Sequence, residues 1–211
     1  GARYHAQHLS VAESVSALRE ARSEGQPATG EASPHHLLLT EDACDNWNTL
    51  AKVNPPLRTS ADIGAIKSGI AEGIITVLAT DHAPHPAASK DTDFASAAFG
   101  MVGLECALPL YREALIDDGV LDWPAMLGMM TCEAAAVAGL DQLGLGRLEV
   151  GGPADVTVID PDAAWAIDPS QFHSTGRNCP FAGRMATGRA LATIVDGRIT
   201  ASAIEGRALA R

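Results

Sequence analysis

Apolar and polar positions along the chain alternate with two different periods, and their order predicts strands and helices in turn. Residues 2–9 read as a strand, which places Tyr4, Ala6 and His8 on one face and His5 on the other. Ser10 and Glu13 match a capping box for a helix over residues 11–23, with Val11, Val15, Leu18 and Ala21 as its buried stripe. Gly25 ends it. A weaker strand over residues 27–33 runs into Pro34-His35-His36, where two adjacent histidines in an extended chain point opposite ways. Residues 42–47 read as a helical turn or loop. Residues 52–58 are irregular, because Pro55 and Pro56 remove two donors and fix φ. Ser60 caps a second helix, ending near residue 72, with Ile63, Ile66 and Ile70 facing inward. Residues 73–79 form an apolar, β-branched run too short for a helix, as in a strand buried on both faces of a parallel sheet. The order β-α-β-loop-α-β implies parallel strands joined by right-handed crossovers.

Residues 86–98 are small and polar without periodicity, a loop of the length expected for a mobile lid. Helices follow over residues 104–118 and 124–138; Met126, Met129 and Met130 in the second read as core filler. From residue 145 strand and turn signals dominate, with a strand over 156–160 and a hairpin over 188–200 turning at Asp196-Gly197. The expected division is an α/β domain over residues 1–144 and part of a small β domain over 145–211.

Composition narrows the function classes. With 46% hydrophobic and 19% charged residues, the 211-residue chain can bury a core. A net charge of −11 without any Lys/Arg cluster argues against nucleic acid as a partner. No apolar run is long enough to span a membrane, so no membrane partner is expected. Cys44, Cys106, Cys132 and Cys179 lack metal-type spacing and read as reduced thiols of a cytoplasmic protein.

The chemistry concentrates in Thr80-Asp81-His82-Ala83-Pro84-His85, directly after the buried run. A single acid or histidine there is an ordinary turn or surface residue. An acid and two histidines within five positions, at the mouth of a buried strand, are a site in the manner of α/β barrels. His8 occupies the same kind of place after the first strand. Asn54, in the rigid double-proline loop, is placed to present its amide to a ligand.

These segments resemble a known family. Asp81-His82-Ala83-Pro84-His85, Pro34-His35-His36, Asn54-Pro55-Pro56-Leu57-Arg58 and Phe99-Gly100-x-x-Gly103-Leu104-Glu105 are similar to the C-terminal half of the dihydroorotases, the longer bacterial class of the amidohydrolase superfamily. Gly146-x-Leu148-x-x-Gly151-x-x-Ala154-Asp155 and Asn178-x-Pro180-Phe181-x-Gly183 resemble that superfamily's composite β domain. The likeness covers all 211 residues and departs at Ser33, where Thr is usual, and at Ala98, where Pro is common.

The resemblance implies strands 6–8 of a (β/α)8 TIM-type barrel plus part of a composite β domain. It implies one or two zinc ions per complete site, with His8 and Asp81 as metal ligands. Asp81 would also be the catalytic proton shuttle. Asn54 and His85 match substrate-binding positions, and Phe99 and Gly100 the backbone that contacts the pyrimidine ring. His35 and His36 match a family motif without being ligands. The family's remaining ligands, a His-x-His pair, a bridging lysine or aspartate and a further histidine, would lie upstream of Gly1. The expectation is therefore a piece of a longer polypeptide, inactive alone, that works with its missing N-terminal half. The implied reaction is reversible hydrolysis of dihydroorotate to N-carbamoyl-aspartate in pyrimidine biosynthesis. A homo-oligomer or an aspartate transcarbamoylase complex is the implied assembly. The alternatives are another cyclic amidase, a hydantoinase or allantoinase, and a metal-free scaffold subunit.

Overall fold

The computed structural model describes residues 2–203. Three parallel strands, β1 (Tyr4–Ala6), β2 (Ala28–Ala32) and β3 (Val77–Leu78), pair in the order β1-β2-β3. Tyr4 stands opposite Ala28, and Glu31 opposite Val77. The strands are shorter than the hydropathy runs that announce them. Residues 73–76 and 79 bond across to β2 and α3 (Ser60–Ala71) only singly, as in Thr76 N–H to Gly30 O and Ala79 N–H to Ala32 O, so the ladder proper is brief.

α1 (Ala12–Ser23) and α3 cover one face of this sheet, packing Val15, Leu18, Ile66 and Ile70 with Ile75 and Leu78. A Cβ on Gly30 would lie 2.5 Å from the Leu18 side chain, so β2 passes closely under α1 at this glycine and a larger residue would make Leu18 and Leu9 shift. The caps differ from those expected. Val11, not Ser10, precedes α1, and no side chain of its own caps the helix. The Ala12 N–H instead donates to Asp62 Oδ1 at 3.0 Å, while Asp62 closes a capping box with Thr59, not Ser60, at the start of α3. One carboxylate thus satisfies donors at two helix starts, which makes a local hydroxyl cap on α1 unnecessary.

Pro34 starts a short helix, α2 (Pro34–Leu38), where an extended segment was expected. The helix expected over 104–118 is one rod of changing pitch, with α4 (Ala107–Tyr111) running into a π-helical stretch over Arg112–Asp117. The Tyr111 hydroxyl, fully buried, lies 3.0 Å from Ala32 O and 2.8 Å from Ala79 O, and its one proton is shared between the ends of β2 and β3. The single helix expected over 124–138 is two, α5 (Trp123–Met130) and α6 (Cys132–Ala138). They break at Thr131, whose φ of −126° and ψ of −83° are not helical. Met126 and Met129 are buried in the core, as expected.

The tail forms its own antiparallel sheet of β4 (Val156–Ala166), β5 (Met185–Val195) and β6 (Arg198–Ser202). Its hairpin turns where expected, with Asp196 at φ 50° and Gly197 at φ 71°. Residues 204–211 of the expected β segment lie outside the described residues. Ile167, Phe172, Cys179 and Phe181 from the tail share a buried cluster with Val53, Leu57, Met101 and Leu110, so the tail packs directly on the loops that follow the parallel strands.

Candidate active site

His8 comes two residues after β1 and Asp81 three after β3, and both take positive φ, 33° and 48°. Such backbone is uncommon for residues other than glycine and collects where a side chain must be aimed. The parallel register delivers both to the carboxyl ends of their strands. Burial pushes the Asp81 carboxyl above its ordinary pKa; the nearby His8 works against this, and Glu31 adds to it. A carboxylate shifted upward is a better proton acceptor near neutrality.

Glu31, next along on β2, ties this corner together. Its carboxylate accepts from His5 Nε2 at 2.9 Å and from the His8 backbone N–H at 3.2 Å, which fixes the turn that aims the His8 ring. His8 Nδ1 is buried and has no hydrogen-bond partner among the described residues. A buried nitrogen without a partner costs free energy unless a ligand satisfies it, and with a carboxylate in electrostatic range the pair fits a divalent metal. Among the described residues no group of three or more His, Cys, Asp or Glu is arranged to hold a metal ion. His8 and Asp81 alone do not make up such a group.

His35 and His36 do not point opposite ways as expected. The α2 turn brings both onto Ser33, whose Oγ lies 3.0 Å from His35 Nε2 and 2.7 Å from His36 Nδ1. His36 Nε2 donates to Pro55 O at 2.9 Å, so Ser33 donates to His36 Nδ1 and accepts from His35 Nε2. Burial drives both rings toward neutrality. It lowers the His36 pKa to about 4 and holds His35 well below its ordinary value. The 3.7 Å approach of His35 Nε2 to Asp81 Oδ2 is therefore not an ion pair, and it is too long for a hydrogen bond. Both Nε2 atoms are occupied, one by Ser33 and one by Pro55. Because the folded state binds the His36 proton less readily than the unfolded chain, stability is complete above about pH 6.5 and declines toward pH 4. His36→Gln is expected to flatten the acid side of a denaturation curve between those limits; an unchanged slope contradicts the neutral assignment.

A second group of predicted residues assembles beside the first. Ala83 N–H donates to Met101 O at 2.9 Å, which lays the 81–85 loop along residues 99–103. A Cβ on Gly100, at φ 113°, would meet Ala83 Cβ at 2.5 Å, so only glycine fits. His85 Nε2 is 2.7 Å from Phe99 O, so it donates there. Its Nδ1 is the ring nitrogen left for a ligand. His82 is also occupied, since its Nδ1 accepts from the Gly103 and Leu104 N–H groups and its Nε2 donates to Ser174 Oγ. Asn54 is exposed and lines a cleft of about 570 Å³ together with His8, Ser10, Pro55 and Arg58.

Three residues that hold the candidate site's backbone had no role in the sequence reading. Asn178 is buried, accepts the His85 N–H at 2.9 Å and donates to Ala83 O and Gly100 O at 2.9 and 3.1 Å. It lies in a motif seen in the sequence, but nothing local marks its partners. Asn178→Ala leaves three backbone groups unpaired, a cost of about 2–4 kcal/mol. For a chain of this size the expected fall in Tm is about 5–15 °C by thermal melt, and a fall under about 2 °C contradicts it. The other two supports are Lys52 and Lys90. They pin residues 94–98 by their carbonyls, so the segment expected to be a mobile lid is anchored instead.

A parallel α/β sheet that carries a histidine and a carboxylate to the carboxyl ends of its strands, beneath loops of fixed backbone, defines the class. The chain belongs to the Amidohydrolase family, whose model matches residues 13–201. It is 46% identical over 199 residues to a dihydroorotase of Pelotomaculum thermopropionicum, covering 94% of this chain and 46% of that protein. It is 43% identical over 208 residues to a dihydroorotase of Streptomyces coelicolor, covering 95% and 48%. The chain thus spans about half the length of the curated relatives it matches. Among solved structures, the L-hydantoinase from Arthrobacter aurescens matches with a TM-score of 0.89 and 31% identity, over 96% of this chain and 45% of that one. The dihydropyrimidinase from Brevibacillus agri matches at 0.88 over 95% and 45%, and at 22% identity it shows likeness of fold alone.

Proposed function

We propose that this chain carries part of the active site of a dihydroorotase, which hydrolyses the cyclic amide of dihydroorotate reversibly to N-carbamoyl-aspartate in pyrimidine synthesis. The observation that carries the reading is the convergence of His8, with its unpartnered buried Nδ1, and Asp81, with its upward-shifted carboxyl, at the ends of parallel strands. Identities of 43–46% to dihydroorotases support it; the likeness to a hydantoinase, at 31%, is weaker. In this reading the parallel strands are strands 6–8 of a (β/α)8 barrel. The other strands and the remaining metal ligands come from residues other than those described, and residues 2–203 alone are inactive. The setting is the cytoplasm.

His8 and Asp81 would hold one or two zinc ions, which supply Lewis acidity to the amide carbonyl and to water. Asp81 accepts the proton of the attacking water and returns it to the ring nitrogen as the amide C–N bond breaks, so the proton count closes on one carboxyl. Asn54 offers its amide to the substrate carboxylate, and the Phe99–Gly100 backbone borders the ring. His85 borders the same carboxylate. The test is a substrate panel of dihydroorotate, hydantoin and allantoin with the natural polypeptide that contains this chain. Dihydroorotate is expected to lead in kcat/KM by at least about 100-fold, because a site built around donors for a carboxylate discriminates against substrates lacking one. Preference for hydantoin or allantoin, or no turnover with zinc bound, overturns the reading.

A further inference from the structure

Two lysines outside the proposed chemistry are almost wholly buried, Lys52 at 7% and Lys90 at 4% exposure. Lys52 Nζ donates to Phe94 O, Ala95 O and Ala97 O at 2.7, 2.8 and 2.7 Å. Lys90 Nζ donates to Thr49 O, Lys52 O and Ala98 O at 3.0, 3.2 and 2.7 Å. All six ammonium N–H groups are thus spent on backbone carbonyls, and neither lysine has an ion-pair partner among the described residues. Burying two neighbouring cations without a counter-charge is expensive. Burial and the neighbouring Lys52 together pull the Lys90 pKa down to about 8. Saturated donors cannot also bind an anion, so what these charges do is hold backbone.

The backbone they hold surrounds the second half of the candidate site. The six carbonyls belong to residues 49–52 and 94–98, on either side of Phe99 and Gly100. Gly100 N–H donates to Lys52 O at 2.9 Å, and Lys52 Nζ lies 4.4 Å from the Phe99 ring centroid. Phe99 O in turn takes the His85 Nε2–H at 2.7 Å. The Lys90 backbone is itself gripped, since Thr49 Oγ1 donates to Lys90 O at 2.6 Å.

We propose that Lys52 and Lys90 are positioning residues for substrate recognition, a two-ammonium clamp that fixes Phe99–Gly100 and through them the His85 ring. The clamp rests on the reading above that those residues border the substrate. It acts chiefly on binding, because the lysines bond directly to the backbone flanking Phe99 and Gly100, whereas His8 and Asp81 follow β1 and β3, to which neither lysine bonds.

The test uses Lys90→Met and Lys52→Met in the natural polypeptide containing this chain, with two readouts. Hydrogen exchange at amides 94–100 is expected to accelerate at least about 10-fold, as local opening becomes easier. KM for dihydroorotate is expected to rise at least about 10-fold with kcat within about threefold, the pattern of lost uniform binding. Thr49→Val, which removes only the bond to Lys90 O, is the milder variant should either lysine change prevent folding. It is expected to shift both readouts the same way by about threefold, as one hydrogen bond would. Unchanged exchange overturns the clamp, and so does faster exchange with KM within twofold. Loss of kcat at constant KM overturns it as well. If the polypeptide opens hydantoin and not dihydroorotate, the functional reading fails while exchange and KM for hydantoin still decide the clamp.

Discussion

Asp81→Asn is expected to lower kcat for ring opening of dihydroorotate by at least about 100-fold, within the range of general acid–base groups. The amide keeps the size of the carboxyl and the backbone turn at φ 48°, so the loop that carries it is preserved. It cannot take a proton from water. Burial raises the pKa of this carboxyl, which agrees with the proton-accepting role proposed for it. KM should change little, because Asn54, His85 and the Phe99–Gly100 backbone are untouched. Steady-state kinetics on the natural polypeptide check this, and near-normal turnover would remove Asp81 from the mechanism.

His8→Ala is expected to weaken zinc binding by at least about 100-fold, beyond the 10–100-fold typical when only an outer partner of a ligand is lost. His8 Nδ1 is buried and has no hydrogen-bond partner among the described residues, which leaves it for a metal. The backbone N–H bond to Glu31 survives the substitution, so the metal-free variant should keep its stability to within about 1 kcal/mol of the metal-free parent. Competition against a chelator reads the first quantity and a denaturant melt the second. Zinc retained at parental affinity would show that His8 is not a ligand.

Local signals in the sequence were enough for the parallel β-α-β order, for the acid after the buried run and for the turn at Asp196-Gly197. Each depends on residues within a few positions, where periodicity and turn chemistry act. What escaped depends on distant partners. The donor at the start of α1 is met by Asp62, 50 positions away, so the local Ser-x-x-Glu pattern misled. Both histidines of α2 turn to Ser33 because Pro34 opens a helical turn, which alternation along a strand does not foresee. Asn178 reaches His85 across 93 positions, and Lys52 and Lys90 look like ordinary surface charges until their carbonyls are seen. The candidate site residues were legible because their types are rare in such a place. The residues that position them were not, because amides, lysines and carbonyls occur everywhere.

The central claim is that the ends of β1 and β3 hold one metal site between them. Anomalous diffraction at the zinc edge, on crystals of the natural polypeptide containing this chain, tests it most directly. A zinc peak in coordination contact with both the His8 ring and the Asp81 carboxylate is expected. Zinc bound elsewhere, with His8 and Asp81 uncoordinated, would contradict it.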